Sequence, residues 1–115
     1  MTAEEVKTAT NAYIDSIKGE GHEWVAELVR FMRENFPACR EECTPEGPMF
    51  WAGDKYLGFT AEDKRLKYYT NDIQTVDILE DMLPGVMREG DCVRVRYSRS
   101  KALWTLFDAC RDIAK

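Results

Sequence analysis

Histidine occurs once in this chain, at position 22, and there is no Cys-x-x-Cys pair, Gly-x-Ser-x-Gly elbow, His-Glu-x-x-His helix or glycine-rich phosphate loop. These absences speak against a zinc site built from paired cysteines and histidines, and against the common hydrolase and nucleotide-binding chemistries. No apolar run approaches the roughly 20 residues that span a bilayer. The opening residues, Met-Thr-Ala-Glu-Glu, are acidic and carry no apolar signal region, so the expectation is a protein of the cytoplasm that engages no membrane. Positive charge is in short supply too: the formal net charge is −5, which argues against a general nucleic-acid binder. No internal repeat, low-complexity stretch or linker interrupts the 115 residues, which are expected to form one domain spanning 1–115.

Apolar residues make up 44% of the chain and aromatics 11%, so a sizeable core is available. A chain of this length buries roughly 65% of the surface its unfolded form exposes. Cysteines stand at positions 39, 43, 92 and 110. Without an export signal they are expected to be reduced thiols acting as small core residues.

The periodicity of the apolar residues supplies an element order. Val6, Ala9, Tyr13 and Ile17 recur at helical spacing until Gly19-Glu20-Gly21 interrupts them. Trp24, Val25, Leu28, Val29, Met32 and Phe36 form a broad apolar stripe, ended by Pro37. From Cys43 to Tyr69 the period shortens towards two, with turns at Gly53-Asp54 and Glu62-Asp63, which predicts antiparallel hairpins. A third helix is expected to open at Asn71 or Asp72 and to close at Leu83-Pro84-Gly85, with Ile73, Val76, Leu79, Leu83 and Met82 inward. Val93, Val95 and Tyr97 then alternate with Cys92, Arg94, Arg96 and Ser98. Ser100 is placed to cap a last helix carrying Leu103, Leu106, Phe107, Cys110 and Ile113. Two helices, three strands, a helix, a strand and a helix describe an α+β domain of two layers. The sheet is expected to be antiparallel, with about four to five strands and its helices packed on one face.

Phe36-Pro37, Glu41, Cys43 and Pro48-Met49-Phe50-Trp51, followed by Gly58-Phe59, Lys64 and the strand from Gly90 to Tyr97, resemble the pattern of YdhG-like domains, a small bacterial family. The resemblance covers nearly the whole chain. It implies a secretion-chaperone-like arrangement, an antiparallel sheet with helices on one side. It also implies that Cys39 lies in a helical turn and that Cys43 opens a strand and joins the core. Thr44-Pro45-Glu46-Gly47 departs from the pattern, with a proline where an aromatic residue usually precedes the glycine. Some relatives carry a frataxin-like or iron-chaperone label. No catalytic residue comes with the resemblance.

Three groups of residues could carry chemistry. Cys39 and Cys43 would share one face of a helix but would stand about 13 Å apart on a strand, at ~3.3 Å per residue, beyond bonding reach. Asp77, Glu80 and Asp81 form an acidic ridge on the third helix. Such carboxylates bind iron or calcium weakly, and a solvated helix face explains them as well. The most suggestive pattern lies in the strands. If Leu66, Tyr68, Val93, Val95 and Tyr97 face the helices, then Arg65, Lys67, Tyr69, Arg94 and Arg96 face away, provided their strands are neighbours. Such a surface on an acidic protein suits a small anionic ligand or an acidic protein partner, with Trp51 offering stacking area. Long cations also commonly cover exposed sheet faces and pair with nearby carboxylates. The expected function is therefore a non-enzymatic binding or chaperone-like module without a cofactor, and the alternative is iron handling on the ridge of Asp77, Glu80 and Asp81. His22 is read as a surface residue at a helix start, because no nucleophile motif accompanies it.

Overall fold

The computed structural model describes residues 2–114. Among them are α1 (Ala3–Ser16), α2 (Glu20–Asn35), β1 (Arg40–Thr44), β2 (Gly47–Ala52), β3 (Lys55–Ala61), β4 (Arg65–Thr70), α3 (Ile73–Met82), β5 (Met87–Glu89), β6 (Cys92–Arg96) and α4 (Ala102–Ala114). The strands form one open antiparallel sheet in the order β1-β2-β3-β4-β6-β5. The helices pack on one face of it: α1 lies over β1 and β2, α2 and α4 over the middle, and α3 over β4 and β6. The expected α+β architecture is therefore present, with six strands in place of four to five.

The two added strands lie at the sheet edges, where hydrophobic alternation is weakest. β1 reads Arg-Glu-Glu-Cys-Thr and puts a carboxylate, Glu41, on its helix-facing side. Arg33 of α2 meets that carboxylate with Nε at 2.9 Å and Nη2 at 2.8 Å, which lets an acidic residue point inward. β5 has three residues, too few to show a period. Its Arg88 also faces the helices and donates to Asp77 and Glu80 of α3.

Leu57, Phe59, Leu66, Tyr68, Val93 and Val95 project from the sheet into a core closed by Val25, Leu28, Val29 and Met32 of α2, Val76 and Leu79 of α3, and Leu106 and Cys110 of α4. The stripe expected of α2 is the buried one, with Phe36 packing against the core just after the helix. In α3 the buried apolar residues are Val76, Leu79 and the following Leu83. Ile73 and Met82, expected inward, are 49% and 55% exposed. The helix is short and touches the sheet along one narrow line, so positions a third of a turn away remain in solvent.

The cysteines also differ from expectation. Cys39 follows a turn, its N–H donating to the Phe36 carbonyl, and packs against the core. Cys43, on β1, is half-buried and outside the core cluster. The four thiols are free, and only Cys92 and Cys110 are buried.

Candidate binding face

Register decides which side chains share the outward face. β4 pairs with β6 so that Arg65 lies opposite Arg96, Lys67 opposite Arg94 and Tyr69 opposite Cys92. Directly opposed residues of an antiparallel pair have Cβ atoms about 4.5–5.5 Å apart and point the same way. Because Leu66, Tyr68, Val93 and Val95 are buried against the helices, the cations between them face outward. Arg65, Lys67, Arg94 and Arg96 thus form a block two residues wide and two strands across.

Their partners differ. Arg94 donates Nε to Glu62 at 2.8 Å and Nη1 to Glu89 at 3.2 Å, and the hydrogen bond to Glu62 is the main cause that raises its pKa above the ordinary guanidinium value. Lys67 rests with its ammonium 5.7 Å from the centre of the Tyr69 ring. Among the described residues, Arg65, Lys67 and Arg96 have no carboxylate within ion-pair distance.

Tyr69 lies flat across β3 because Gly58 stands opposite it. A Cβ at Gly58 would come within 2.5 Å of the phenol ring, so only glycine lets the ring settle there. Burial is the main cause that pushes the Tyr69 phenol up to about 12, and it remains a neutral donor at ordinary pH. Beyond it the aromatic surface continues: Tyr56 is 6.4 Å from Tyr69 and Trp51 is 5.1 Å from Tyr56, centre to centre. The Arg40 guanidinium sits 5.3 Å over Trp51, whose Nε1 donates to Glu42 at 3.2 Å. Around Tyr56, Lys67 and Tyr69 runs a groove of about 540 Å³, with Glu46 and Asp91 on its rim.

The structure therefore brings Arg65, Lys67, Arg94 and Arg96 together, with Tyr69 beside them. It puts Trp51 on β2, two strands from β4, joined to the block only through Tyr56 and Tyr69. The reading from sequence did not include Tyr56 or Arg40. The Gly53-Asp54 turn could have revealed Tyr56, since it sets Trp51 opposite Tyr56 in the hairpin. Arg40 gave no signal, because its strand has no apolar alternation.

The other candidates are engaged elsewhere. Asp77 and Glu80 both accept from Arg88 Nη1, so an arginine supplies the countercharge on that ridge. Among the described residues no group of three or more histidine, cysteine or acidic side chains is arranged to hold a metal. Cys39 lines a concavity of about 410 Å³ between α1, α2 and β1, together with Arg33 and Glu41. Burial pushes the Cys39 thiol up, away from the thiolate that redox chemistry requires. His22 is half-buried at the start of α2, and its Nδ1 donates to the Ile14 carbonyl at 2.8 Å. That contact requires the proton to sit on Nδ1, so the ring helps to close α1. Among the described residues no helix is long and apolar enough to cross a membrane. No family model, no curated protein and no solved structure matches this chain.

Proposed function

We propose that this chain is a non-enzymatic, YdhG-like binding module of the cytoplasm that takes a small anionic ligand, or an acidic segment of a partner protein, on the outward face of β4 and β6. The observation that carries the reading is the pair of like-charge oppositions, Arg65 against Arg96 and Lys67 against Arg94. Directly opposed like charges destabilise a sheet, and on a chain with a surplus of acids only one of the four meets carboxylates among the described residues. A bound anion would relieve both oppositions, and arginine forks would hold it by charge-assisted hydrogen bonds. The open antiparallel sheet with its helices on one side is the arrangement that the YdhG-like resemblance implies. The non-enzymatic reading is supported by the histidine held on a backbone carbonyl and by burial that raises the thiols of Cys39 and Cys110.

The test is a titration with a hexaglutamate peptide, followed by backbone amide shifts. Binding should weaken steeply as salt rises, since the screening length falls from about 10 Å at 0.1 M to about 3 Å at 1 M. It should vanish in the double variant Arg65→Ala, Lys67→Ala, whose far-UV spectrum should match the parent. Binding that ignores both salt and the double variant would refute the sheet face as the site.

A further inference from the structure

Arg65 and Arg96 border two concavities that meet at the end of the sheet. One, of about 200 Å³, is lined by Arg65, Arg94, Arg96 and Arg99, with Gly85, Val86, Met87 and Val95 completing the wall. The other, of about 760 Å³, shares the same two arginines and is also lined by Lys18, Glu20, Asp63, Lys64 and Ser98. We infer that the smaller concavity is a phosphoryl-group site and that the larger one takes the rest of a small, hydroxyl-rich phosphate monoester. The inference rests on the reading of the outward face as anion-binding and gives that face a ligand class.

Charge in the smaller concavity is concentrated, and among the described residues carboxylates answer it only at Arg94. Four guanidiniums and no carboxylate belong to its lining, and Arg65, Arg96 and Arg99 have no ion-pair partner among the described residues. Arg94 retains unused donors beyond those given to Glu62 and Glu89. A carboxylate would bring one charge and two coplanar oxygens to three free forks. A phosphoryl dianion brings about −1.5 to −2 and three acceptor oxygens arranged in three dimensions, which several arginines can share.

The backbone that carries these cations is fixed by hydrogen bonds. Arg99 N–H donates to the Arg96 carbonyl at 3.0 Å, and Tyr97 N–H donates to the Lys64 carbonyl at 3.3 Å. Glu62 N–H donates to the Arg65 carbonyl at 2.9 Å. Gly85, at φ 82, borders the Arg99 guanidinium, and a Cβ there would stand in ordinary contact, 3.5 Å from Nη2. The fixed backbone sets where each arginine side chain begins, and an arriving anion still has to order the free guanidiniums.

Size and polarity define the remainder of the ligand. A volume of about 200 Å³ suits one anionic group, not a whole ligand. The adjoining cleft offers carboxylates at Glu20 and Asp63 and a hydroxyl at Ser98, acceptors suited to sugar-type hydroxyls. Its aromatic lining residue, Tyr97, is 4% exposed, packs edge-on to Trp24 and donates its hydroxyl to the Glu62 carbonyl. It presents no free face on which a nucleobase could stack, which favours a polyol phosphate over a nucleotide.

The experiment follows backbone amide and arginine Nε–Hε resonances at low ionic strength during titration with inorganic phosphate, then glycerol 3-phosphate, then hexaglutamate. Phosphate should move the Nε–Hε signals of Arg65, Arg96 and Arg99 and leave that of Arg33, held by Glu41, in place. Glycerol 3-phosphate should bind more tightly and also move the Asp63 and Ser98 amides. Arg99→Ala should weaken phosphate by about tenfold, the usual loss for a hydrogen bond between charged groups, while Arg30→Ala should match the parent. If hexaglutamate binds but phosphate moves none of these arginines, or if Arg99→Ala matches Arg30→Ala, the phosphoryl site is overturned and the sheet-face reading stands. If none of the three anions binds, both fall. Equal affinity for phosphate and glycerol 3-phosphate would overturn the role given to the larger cleft.

Discussion

The two faces of β4 and β6 alternate residue by residue and obey opposite rules. Inward, Leu66, Tyr68 and Val93 are 0% exposed and Val95 1%. Outward, the residues between them are cations facing cations. The sheet edges make the contrast sharper. Arg33 beside β1 is gripped by both oxygens of Glu41, and Arg88 on β5 by Asp77 and Glu80. Where the fold needs an arginine for its own integrity, it supplies carboxylates. At Arg65, Arg96 and Arg99 no such carboxylate is within reach among the described residues, and that difference separates residues that hold the molecule together from those available to something else.

The largest expected effect comes from the inward face. Leu66→Ala should cost about 3 kcal/mol in urea unfolding, the usual price of a methylene-lined cavity at a fully buried site. The same truncation one residue earlier, at Arg65, should leave the midpoint unmoved, and an equal loss at both positions would break the contrast. Glu41→Ala comes next, at about 1–2 kcal/mol, because it strands the half-buried Arg33. Burial raises the Glu41 carboxyl, but Arg33 first, with Thr10 and the charge of Lys7, outweighs it and holds the group below its ordinary 4.5. Its contribution is therefore complete above that value and fades as the pH falls further, so the acid limb of stability against pH should flatten in the variant.

Gly58→Ala should cost about 1 kcal/mol by lifting the Tyr69 ring, and near-ultraviolet circular dichroism should report the displaced phenol. Alkali is expected to act through the same ring. Burial pushes Tyr69 and Tyr97 up to about 12 from an ordinary 10.0, so the unfolded chain releases these protons first. Stability should be intact below pH 10 and decline as pH climbs towards 12, with a smaller decline in Tyr69→Phe. The smallest effect is the most telling. Arg65→Ala with Arg96→Ala removes one like-charge opposition and should leave the thermal midpoint unchanged, or slightly raised at low salt only. A clear fall would show that this pair supports the fold after all.

Much of this was legible in the chain, and the gaps have physical causes. The stripe of α2 and the alternations of β4 and β6 could be read directly, because burial on one side of a regular element imposes its period on the sequence. β1 could not be read, because its inward residue is an acid that only Arg33, eight positions away, makes tolerable. Ile73 and Met82 were misplaced because apolar spacing does not reveal how narrow a helix's contact with its sheet will be. Cys43 was misplaced because β1 is an edge strand, covered mainly by α1.

The candidate site shows the same division. That Arg65, Lys67 and Tyr69 share a face, and that Arg94 and Arg96 share one, followed from a period of two. That the two sets lie side by side, in a register opposing Arg65 to Arg96, depended on β4 pairing with β6 across α3 and β5. The sequence by itself determined the four helices, the strands β2, β3, β4 and β6, and the buried stripe of α2, since these depend on residues a few positions apart. Tertiary structure alone decided that Arg88 would meet carboxylates, that Arg99 would join Arg65 and Arg96, and that Trp51 would stand two strands away. Electrostatic pairing acts between side chains brought within a few ångströms by the fold, however far apart they are in the chain.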